Sequence, residues 1–260
     1  MSDNESFSMN VSFQLYSARE TASWSDTFQE LAALGYTQVE GYGANYEDAA
    51  ATRAMLDQAG LSMPSGHFFP IGQFEDDFVA TIGTARTLGM KRLFCPAPEE
   101  ALRNSTDPAD WIAFGKTLAT VGERVRDAGL SFGWHNHHWE FMPLPDGQIP
   151  MQLILDTAPE IDWEMDVAWV VRGGADPLDW IARNADRITT AHVKDIAPDG
   201  EAEDEDGWAD VGHGTMDWAA IHAALRAAGV DLFVMEHDKP SDISRFASRS
   251  IAAYKTFAGA

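Results

Sequence analysis

The feature that most constrains the fold of this chain is a repeated order of helical stretch, glycine and short apolar run. Five glycines each follow an apolar helical stretch and immediately precede a run typical of a β-strand: Gly35, Gly60, Gly89, Gly129 and Gly229. Glycine tolerates the left-handed backbone conformation in which many helices end. The repeated order therefore predicts successive helix–strand units of an α/β protein.

Eight short apolar runs are predicted to be strands, at 11–17, 37–43, 61–68, 91–97, 130–137, 161–167, 188–195 and 232–238. Helices are predicted between and after them, at 24–34, 46–59, 74–88, 108–128, 177–185, 217–228 and 242–257. Several strands lack alternation of polar and apolar residues, which is typical of parallel strands covered on both faces. We therefore predict a (β/α)₈ TIM barrel as a single domain over residues 1–260, with 1–10 as a flexible N-terminus. A doubly wound open sheet is the alternative.

The charge balance excludes some classes of partner. The chain has 41 acidic and 18 basic residues and a net charge of −23, which argues against nucleic acid and anionic membrane surfaces as partners. No apolar stretch near the N-terminus resembles a signal peptide, and no run is long enough to cross a membrane, so we expect a cytoplasmic protein. The single cysteine, Cys95, ends an apolar run and is predicted to be buried. The acidic stretch 198–210 is predicted to be an exposed, mobile loop over the barrel mouth.

Polar residues gather where the predicted strands end, and in a parallel barrel these ends meet at one mouth. Four of them follow neighbouring strands: Glu140, Asp166, His192 and Glu236. Three carboxylates packed together would raise one another's pKa, and a divalent cation removes that penalty. An oxygen-rich set of this kind suits Mn²⁺ or Mg²⁺. The sequence therefore predicts a metal site, with a hydrogen-bonded polar rim as the alternative.

Four segments resemble the sugar phosphate isomerase/epimerase superfamily of xylose-isomerase-like TIM barrels, which includes ketose 3-epimerases and inosose dehydratases. They are WHNHHWEF (134–141), DVAWV (166–170), AHVKD (191–195) and VMEHD (234–238), and the resemblance runs from about residue 11 to the end. It implies one divalent ion, Mn²⁺ with Mg²⁺ or Co²⁺ as alternatives, on the same four residues. It also implies a sugar or keto-polyol substrate and association into a homo-oligomer. VGHGTMDW (211–218) resembles the family's glycine loop, but His213 stands where a small acidic residue is common, which leaves its role open.

Such a site predicts proton transfer through an enediolate, because a metal bound to a carbonyl and a neighbouring hydroxyl acidifies the carbon between them. Glu140 and Glu236 are predicted to be the acid/base pair. His67 and His137 are expected to face the substrate. Lys194 is expected either to neutralise the enediolate or to pair with Asp195 or Glu236. The predicted function is isomerisation or epimerisation of a ketose or keto-sugar.

Three other functions remain open at this point. A lyase or dehydratase acting on a keto-inositol or a 3-keto-glycoside would use the same metal site. An abasic-site endonuclease shares the barrel, but it needs three zinc ions and a basic face, which the net charge disfavours. A metal-free binding barrel is the third alternative. The absence of a glycine-rich phosphate loop favours a non-phosphorylated substrate.

Overall fold

A computed structural model describes residues 11–259, in which eight parallel strands close into a barrel. The barrel strands are β1 (Val11–Gln14), β2 (Gln38–Gly41), β3 (Ser62–His67), β4 (Arg92–Cys95), β5 (Ser131–His135), β6 (Asp162–Asp166), β7 (Ile188–Val193) and β10 (Leu232–Met235). Around the barrel the order is β1-β10-β7-β6-β5-β4-β3-β2, and β2 returns to β1. The closed barrel is confirmed and the open sheet is wrong. Each predicted strand is present and shorter than predicted, and the predicted flexible segment 1–10 lies outside the described residues.

Helices cover the outside of the barrel. They are α1 (Trp24–Leu34), α2 (Ala49–Ala59), α3 (Gln73–Asp76), α4 (Phe78–Leu88), α5 (Glu100–Arg103), α6 (Pro108–Asp127), α7 (Pro150–Thr157), α8 (Val167–Arg172), α9 (Pro177–Arg183), α10 (Trp218–Ala227) and α11 (Ile243–Phe257). Short 3₁₀ helices span Leu15–Ala18, Gly43–Asn45, Trp139–Phe141 and Glu203–Glu205. The predicted helix 74–88 is interrupted at Asp77. Helices α5, α7 and α8 were not predicted, because at eight residues or fewer they show little helical periodicity.

The glycine prediction is confirmed at all five positions. Gly35, Gly60, Gly89, Gly129 and Gly229 have φ between 73° and 100°, a region that favours glycine. At Gly35 the backbone N–H donates to the carbonyls of Leu31 and Ala32, which closes the end of α1. These residues fix where each helix stops and the next strand begins.

The inside of the barrel is unusually polar at its centre. Buried side chains there include Gln14, Glu40, Ser65, Glu164 and Thr190, whereas branched apolar residues usually fill such barrels. The apolar core instead lies mainly between strands and helices, with Trp111, Trp163, Leu118 and Phe246 among its buried members. Cys95 is buried as predicted. Polar groups buried this deeply must be hydrogen-bonded to one another or hold an ion, so the barrel centre is a candidate binding site.

The acidic stretch after β7 is more ordered than predicted. Asp195–Ile196 (β8) pairs antiparallel with Trp208–Ala209 (β9), and the intervening segment contains the 3₁₀ turn. Glu205 and Asp210 are buried, and both accept hydrogen bonds from the Arg245 guanidinium on α11. The prediction of an exposed loop is therefore wrong for these two residues. The loop is anchored to the last helix.

No helix in residues 11–259 is both long and apolar enough to span a bilayer. Cytoplasmic location and homo-oligomer formation stay predictions.

Candidate metal centre

The ends of four adjacent strands converge at the barrel mouth. One ligand atom from each of four buried side chains lies within 4.8 Å of the others, and we call this set the metal group: His135, Asp166, His192 and Glu236. The Nδ1 atom of His192 lies 2.9 Å from Oε2 of Glu236. Three of the four predicted ligands are thus brought together, and the contribution from β5 is His135.

Glu140 does not join the metal group. It lies on the 3₁₀ turn after β5, where Oε1 accepts a 3.2 Å hydrogen bond from Nε1 of Trp134 and Oε2 accepts a 3.0 Å bond from the backbone N–H of His137. The side chain is fully buried, and burial raises the pKa of Glu140 to about 8. The Glu140 carboxylate therefore holds the segment after β5 in place and does not point into the metal group.

Asp166 is held by both its backbone and its side chain. Its backbone N–H donates to Oδ1 of Asn136 on the β5 loop, and its Oδ1 accepts from the backbone N–H of Trp169 and so caps α8. Its second oxygen, Oδ2, points towards Lys194 at 3.4 Å. Burial, opposed by Lys194, raises the pKa of Asp166 to about 7. A buried carboxylate so poorly stabilised by its surroundings is a strong candidate cation ligand.

A second polar cluster lies directly behind the metal group, and we call it the barrel frame: Gln14, Glu40, Ser65, His67 and Glu164. Oε2 of Glu164 lies 2.5 Å from Nε2 of His67, 3.0 Å from Nδ1 of His135 and 3.4 Å from Nε2 of His192. Oε1 of Glu40 lies 2.6 Å from Nε2 of His192, and it also accepts a 2.9 Å bond from Gln14. Ser65 donates to the other oxygen of Glu40. The barrel frame thus contacts one ring nitrogen of each imidazole in the metal group, Nδ1 of His135 and Nε2 of His192.

These contacts favour one tautomer for each of the two imidazoles. If Nδ1–H of His135 donates to Glu164, its Nε2 carries the lone pair. If Nε2–H of His192 donates to Glu40, its Nδ1 carries a lone pair beside Oε2 of Glu236, where a cation could bind both atoms. A carboxylate behind a metal-binding imidazole commonly fixes the ring in this way. Burial, reinforced by the neighbouring His192, lowers the pKa of His135 to about 3, so this ring is neutral. Both rings are therefore oriented to offer a lone pair to a cation.

Lys194 supplies a positive charge to the same region. Its buried Nζ lies 2.5 Å from Oδ2 of Asp238 and 3.3 Å from Oε2 of Glu236. Although burial works against it, the carboxylates of Asp166, Asp238 and Glu236 raise the pKa of Lys194 above its ordinary value. The predicted pairing with Glu236 is present. The predicted alternative, Asp195, instead accepts backbone N–H groups from Ile196, Gly212 and Met216.

A cavity of about 570 Å³ opens above the metal group. His67, His135, His137, Glu236 and Asp238 line its polar floor, whereas Glu140 and Lys194 lie outside the lining. The ring of His137 stacks on Trp139 with centroids 4.4 Å apart, and its Nδ1 has no hydrogen-bond partner among residues 11–259. Burial lowers the pKa of His137 well below its ordinary value. His67, His137 and Glu236 are thus placed where the sequence predicts them, facing a ligand-sized space.

The donor set fits a divalent cation. Asp166 and Glu236 supply carboxylate oxygens, and His135 and His192 supply imidazole nitrogens. In the adjoining barrel frame, the second oxygen of Glu164, Oε1, is buried and has no partner among the described residues, so the frame has unused acceptor capacity. Two nitrogens instead of one make the set more compatible with zinc than the predicted one, while Mn²⁺ remains suitable.

Comparison with known proteins supports this interpretation of the fold. Residues 28–254 match the family described as the xylose isomerase-like TIM barrel. The chain belongs to this family. The resemblance and the barrel predicted from the sequence are both confirmed.

Two relatives of this xylose isomerase-like barrel have sugar-related names. The rhizopine catabolism protein MocC of Rhizobium meliloti is 25% identical over 187 residues, and the match covers 65% of this chain but only 57% of that protein. The inosose dehydratase of Lacticaseibacillus casei is 21% identical over 242 residues, covering 82% of this chain and 81% of the relative. Enzymes named for dehydration thus stand among its relatives.

Solved structures show the same fold. A sugar phosphate isomerase/epimerase from Parabacteroides distasonis superimposes with a TM-score of 0.81 at 21% identity, covering 99% of this chain and 97% of that one. The IOLI protein with a bound zinc atom superimposes with a TM-score of 0.72 at 16% identity, covering 96% of both chains. At these identities the likeness concerns the fold alone.

Glu164, His135 and Glu40 were not among the site residues predicted from the sequence. Glu164 lies two residues before Asp166 on β6, so strand alternation places both on the inner face, and this signal could have found it. His135 is the last residue of β5, whereas Glu140 comes five residues later, beyond a turn. At β5 it is the residue at the strand end that joins the metal group, and not the residue five positions later.

Proposed function

We propose that this protein is a divalent-cation-dependent enzyme that isomerises or epimerises a ketose or keto-sugar through an enediolate. The observation that carries the proposal is the convergence of His135, Asp166, His192 and Glu236 beneath a cavity of about 570 Å³. These four residues would hold the cation, which when bound supplies the charge that stabilises a developing enediolate. We propose Mn²⁺, with zinc as the competing candidate because of the two imidazoles.

Glu236 is the proposed base. It lines the cavity, and Lys194 and His192 hold its pKa well below the ordinary value even though burial opposes them. It is therefore an ionised carboxylate next to the space where a substrate carbon would lie, and it can accept a proton from that carbon.

His137 is the proposed second proton carrier, in place of Glu140. Its ring is neutral, lines the same cavity from the β5 side, and has a free ring nitrogen. Glu140 then acts as a positioning residue, since its carboxylate holds the backbone N–H of His137. Return of the proton to the opposite face of the carbon gives the epimer, and return to the neighbouring carbon gives the isomer.

Dehydration of a keto-inositol is the second candidate, favoured by the relative named inosose dehydratase. Loss of a hydroxyl group needs a proton donor. His67 lines the cavity, and although burial opposes them, Glu164 and Glu40 raise its pKa above the ordinary value. A protonated His67 would serve as that donor.

Purified protein loaded with Mn²⁺ and incubated with ketohexoses and keto-inositols in D₂O, followed by NMR, tests the proposal. Deuterium at the carbon next to the carbonyl together with a new stereoisomer or positional isomer supports it. Loss of water supports the dehydratase. No exchange with any substrate in the panel contradicts both. Asp166→Asn is expected to abolish exchange, and Asp156→Asn, at an exposed position on α7, is the matched control.

A further inference from the structure

The cavity above the metal group has two chemically distinct halves. Besides the polar floor, the lining includes a set of side chains that we call the aromatic rim: Tyr16, Tyr42, Phe69, Pro96 and Trp169. Tyr16 is 39% exposed and Phe69 is 43% exposed. Residues 11–259 contain six large hydrophobic side chains with this degree of exposure, and two of the six face this one cavity. Apolar surface concentrated at a concave site marks a place where a ligand binds.

The two halves lie side by side in the barrel. Tyr16, Tyr42, Phe69 and Pro96 follow β1, β2, β3 and β4 in turn. The charged residues of the floor, Glu236 and Asp238, follow β10, which pairs directly with β1. Four consecutive strand ends thus supply mainly carbon surface. Proton transfer on a small polyol does not require this surface.

The rim is held in place before a ligand arrives. The rings of Tyr16 and Tyr42 meet edge to face at 5.4 Å, and Trp24 packs behind Tyr42 at 6.3 Å. Arg19 lies 4.3 Å above the Tyr16 ring and donates a 3.0 Å hydrogen bond to the carbonyl oxygen of Tyr16. Binding to a preformed aromatic surface loses little conformational entropy.

We propose that the aromatic rim is a subsite for an aromatic substituent on the sugar, so that the substrate is an aryl keto-glycoside and not a free monosaccharide. This inference rests on the proposed function for the sugar end alone. A cavity of about 570 Å³ has room for a second ring beyond the one over the metal group. A second sugar ring fits less well, because its hydroxyl groups would face a rim made mostly of carbon. An anionic group fits poorly too, since the lining contains one arginine, Arg19, and no lysine, against the carboxylates of Glu236, Asp238 and Asp206.

The test compares phenyl and methyl glycosides of the same sugar by calorimetry on the Mn²⁺-loaded protein. These unoxidised glycosides carry no carbonyl, so they report binding without turnover. Burial of a phenyl ring against the rim is expected to tighten binding about tenfold relative to methyl. Tyr16→Ala and Phe69→Ala should each remove most of that preference while the methyl glycoside binds as before. Val79→Ala, at an exposed apolar position outside the cavity lining, is the control and should leave the preference intact.

Equal affinity for phenyl and methyl glycosides overturns the proposal, and so does a preference for a disaccharide over the phenyl glycoside. Failure of either glycoside to bind also overturns it. A phenyl preference that Tyr16→Ala leaves unchanged shows that the ring binds elsewhere, which is a further failure. If the preference is present but no keto-sugar is turned over, the subsite is supported and the proposed function fails. Circular dichroism of each variant checks that the barrel remains folded.

Discussion

The metal group and the barrel frame are both buried, both rich in carboxylate and imidazole groups, and they share contacts with the same two histidines. They differ in how they are satisfied. In the frame, Glu164 and Glu40 accept hydrogen bonds from His67, His135, His192, Gln14 and Ser65. In the metal group, burial disfavours the charge on Asp166, and the contacts of Lys194 to Asp166 and Glu236 are long, at 3.4 and 3.3 Å. Oε1 of Glu164 has no partner among the described residues, so the frame also has one unsatisfied oxygen. The difference between the clusters lies in Asp166, whose charge is disfavoured by burial and whose contact with Lys194 is long.

Replacing one carboxylate by its amide in each cluster should give the largest difference in stability between the barrel frame and the metal group. Glu164→Gln is expected to lower the free energy of unfolding by about 3–5 kcal/mol, because it removes the carboxylate that contacts the buried imidazoles of His67 and His192 and leaves them to Glu40 and Glu236. Asp166→Asn should change the stability of metal-free protein by less than about 1 kcal/mol, since burial already disfavours its charged form and the amide can still cap α8. Urea denaturation of protein treated with chelator measures both. Equal losses would erase the distinction between the clusters.

Cation affinity should show the reverse order. Asp166→Asn and His135→Ala are each expected to weaken Mn²⁺ binding at least about a hundredfold. Glu140→Gln should weaken it less than about threefold, because its carboxylate lies outside the metal group. Competition titration against a fluorescent chelator gives the three values. A hundredfold loss in Glu140→Gln with little effect of His135→Ala would restore the ligand set predicted from the sequence.

Protons and cations should compete at His192. Burial alone would lower the pKa of His192, but Glu164, Glu236 and Glu40 raise it well above its ordinary value. Asp166, whose pKa is raised to about 7, must lose its proton as well. Below about pH 7, Mn²⁺ affinity is therefore expected to rise by between about tenfold and a hundredfold per pH unit, with between about one and two protons released per ion. Calorimetry in two buffers that differ in ionisation enthalpy measures this release, and affinity that is constant between about pH 6 and 7 would count against the arrangement.

The stability of metal-free protein should have the opposite pH dependence. The pKa values of His67 and His192 are raised on folding. Their contribution is thus fully present below the ordinary pKa of about 6.5 and is lost as the pH rises through the folded-state values. Urea midpoints measured across this range give the slope, and Glu164→Gln should reduce it.

The smallest effect is expected at the edge of the frame. Ser65→Ala removes one donor to Glu40 and should cost about 1 kcal/mol, with Mn²⁺ affinity unchanged within about threefold because Gln14 still holds the same carboxylate. Thermal denaturation and the competition titration are the measurements. A tenfold loss of affinity would show that the frame acts on the cation more directly than the hydrogen bonds suggest.

The strands and helix ends could be predicted because their signals are local. An apolar run and a following glycine report on a few neighbouring residues, and the eight strands and five glycine ends appear where those signals lie. The strand-end rule likewise brought Asp166, His192 and Glu236 to one place. The features that could not be predicted are contacts between strands that are far apart in the sequence. The contacts of Glu164 and Glu40 join residues 97 and 152 positions apart, and no local pattern announces them.

Glu140 shows the same limit within a short segment. Its position after β5 resembles that of a ligand, but the 3₁₀ turn Trp139–Phe141 directs the carboxylate towards the indole of Trp134. Which way a side chain points after a turn depends on the neighbours that pack against it, and sequence spacing carries no such information. Residue type and position were predictable, whereas orientation was not.

Arg245 binds both Glu205 and Asp210, so the loop over the barrel mouth is fixed to the C-terminal helix α11. Helix α11 also packs against β10 and α1, so it joins the last strand, the first helix and the loop over the mouth. We expect the loop 201–210 and α11 to open together as one cooperative unit, because Arg245 and Arg249 of α11 both bind carboxylates of the loop. Hydrogen exchange should then show both segments protected to a similar degree and both less protected in Arg245→Gln. If the loop exchanges faster than α11, the loop opens on its own while the helix stays packed on the barrel.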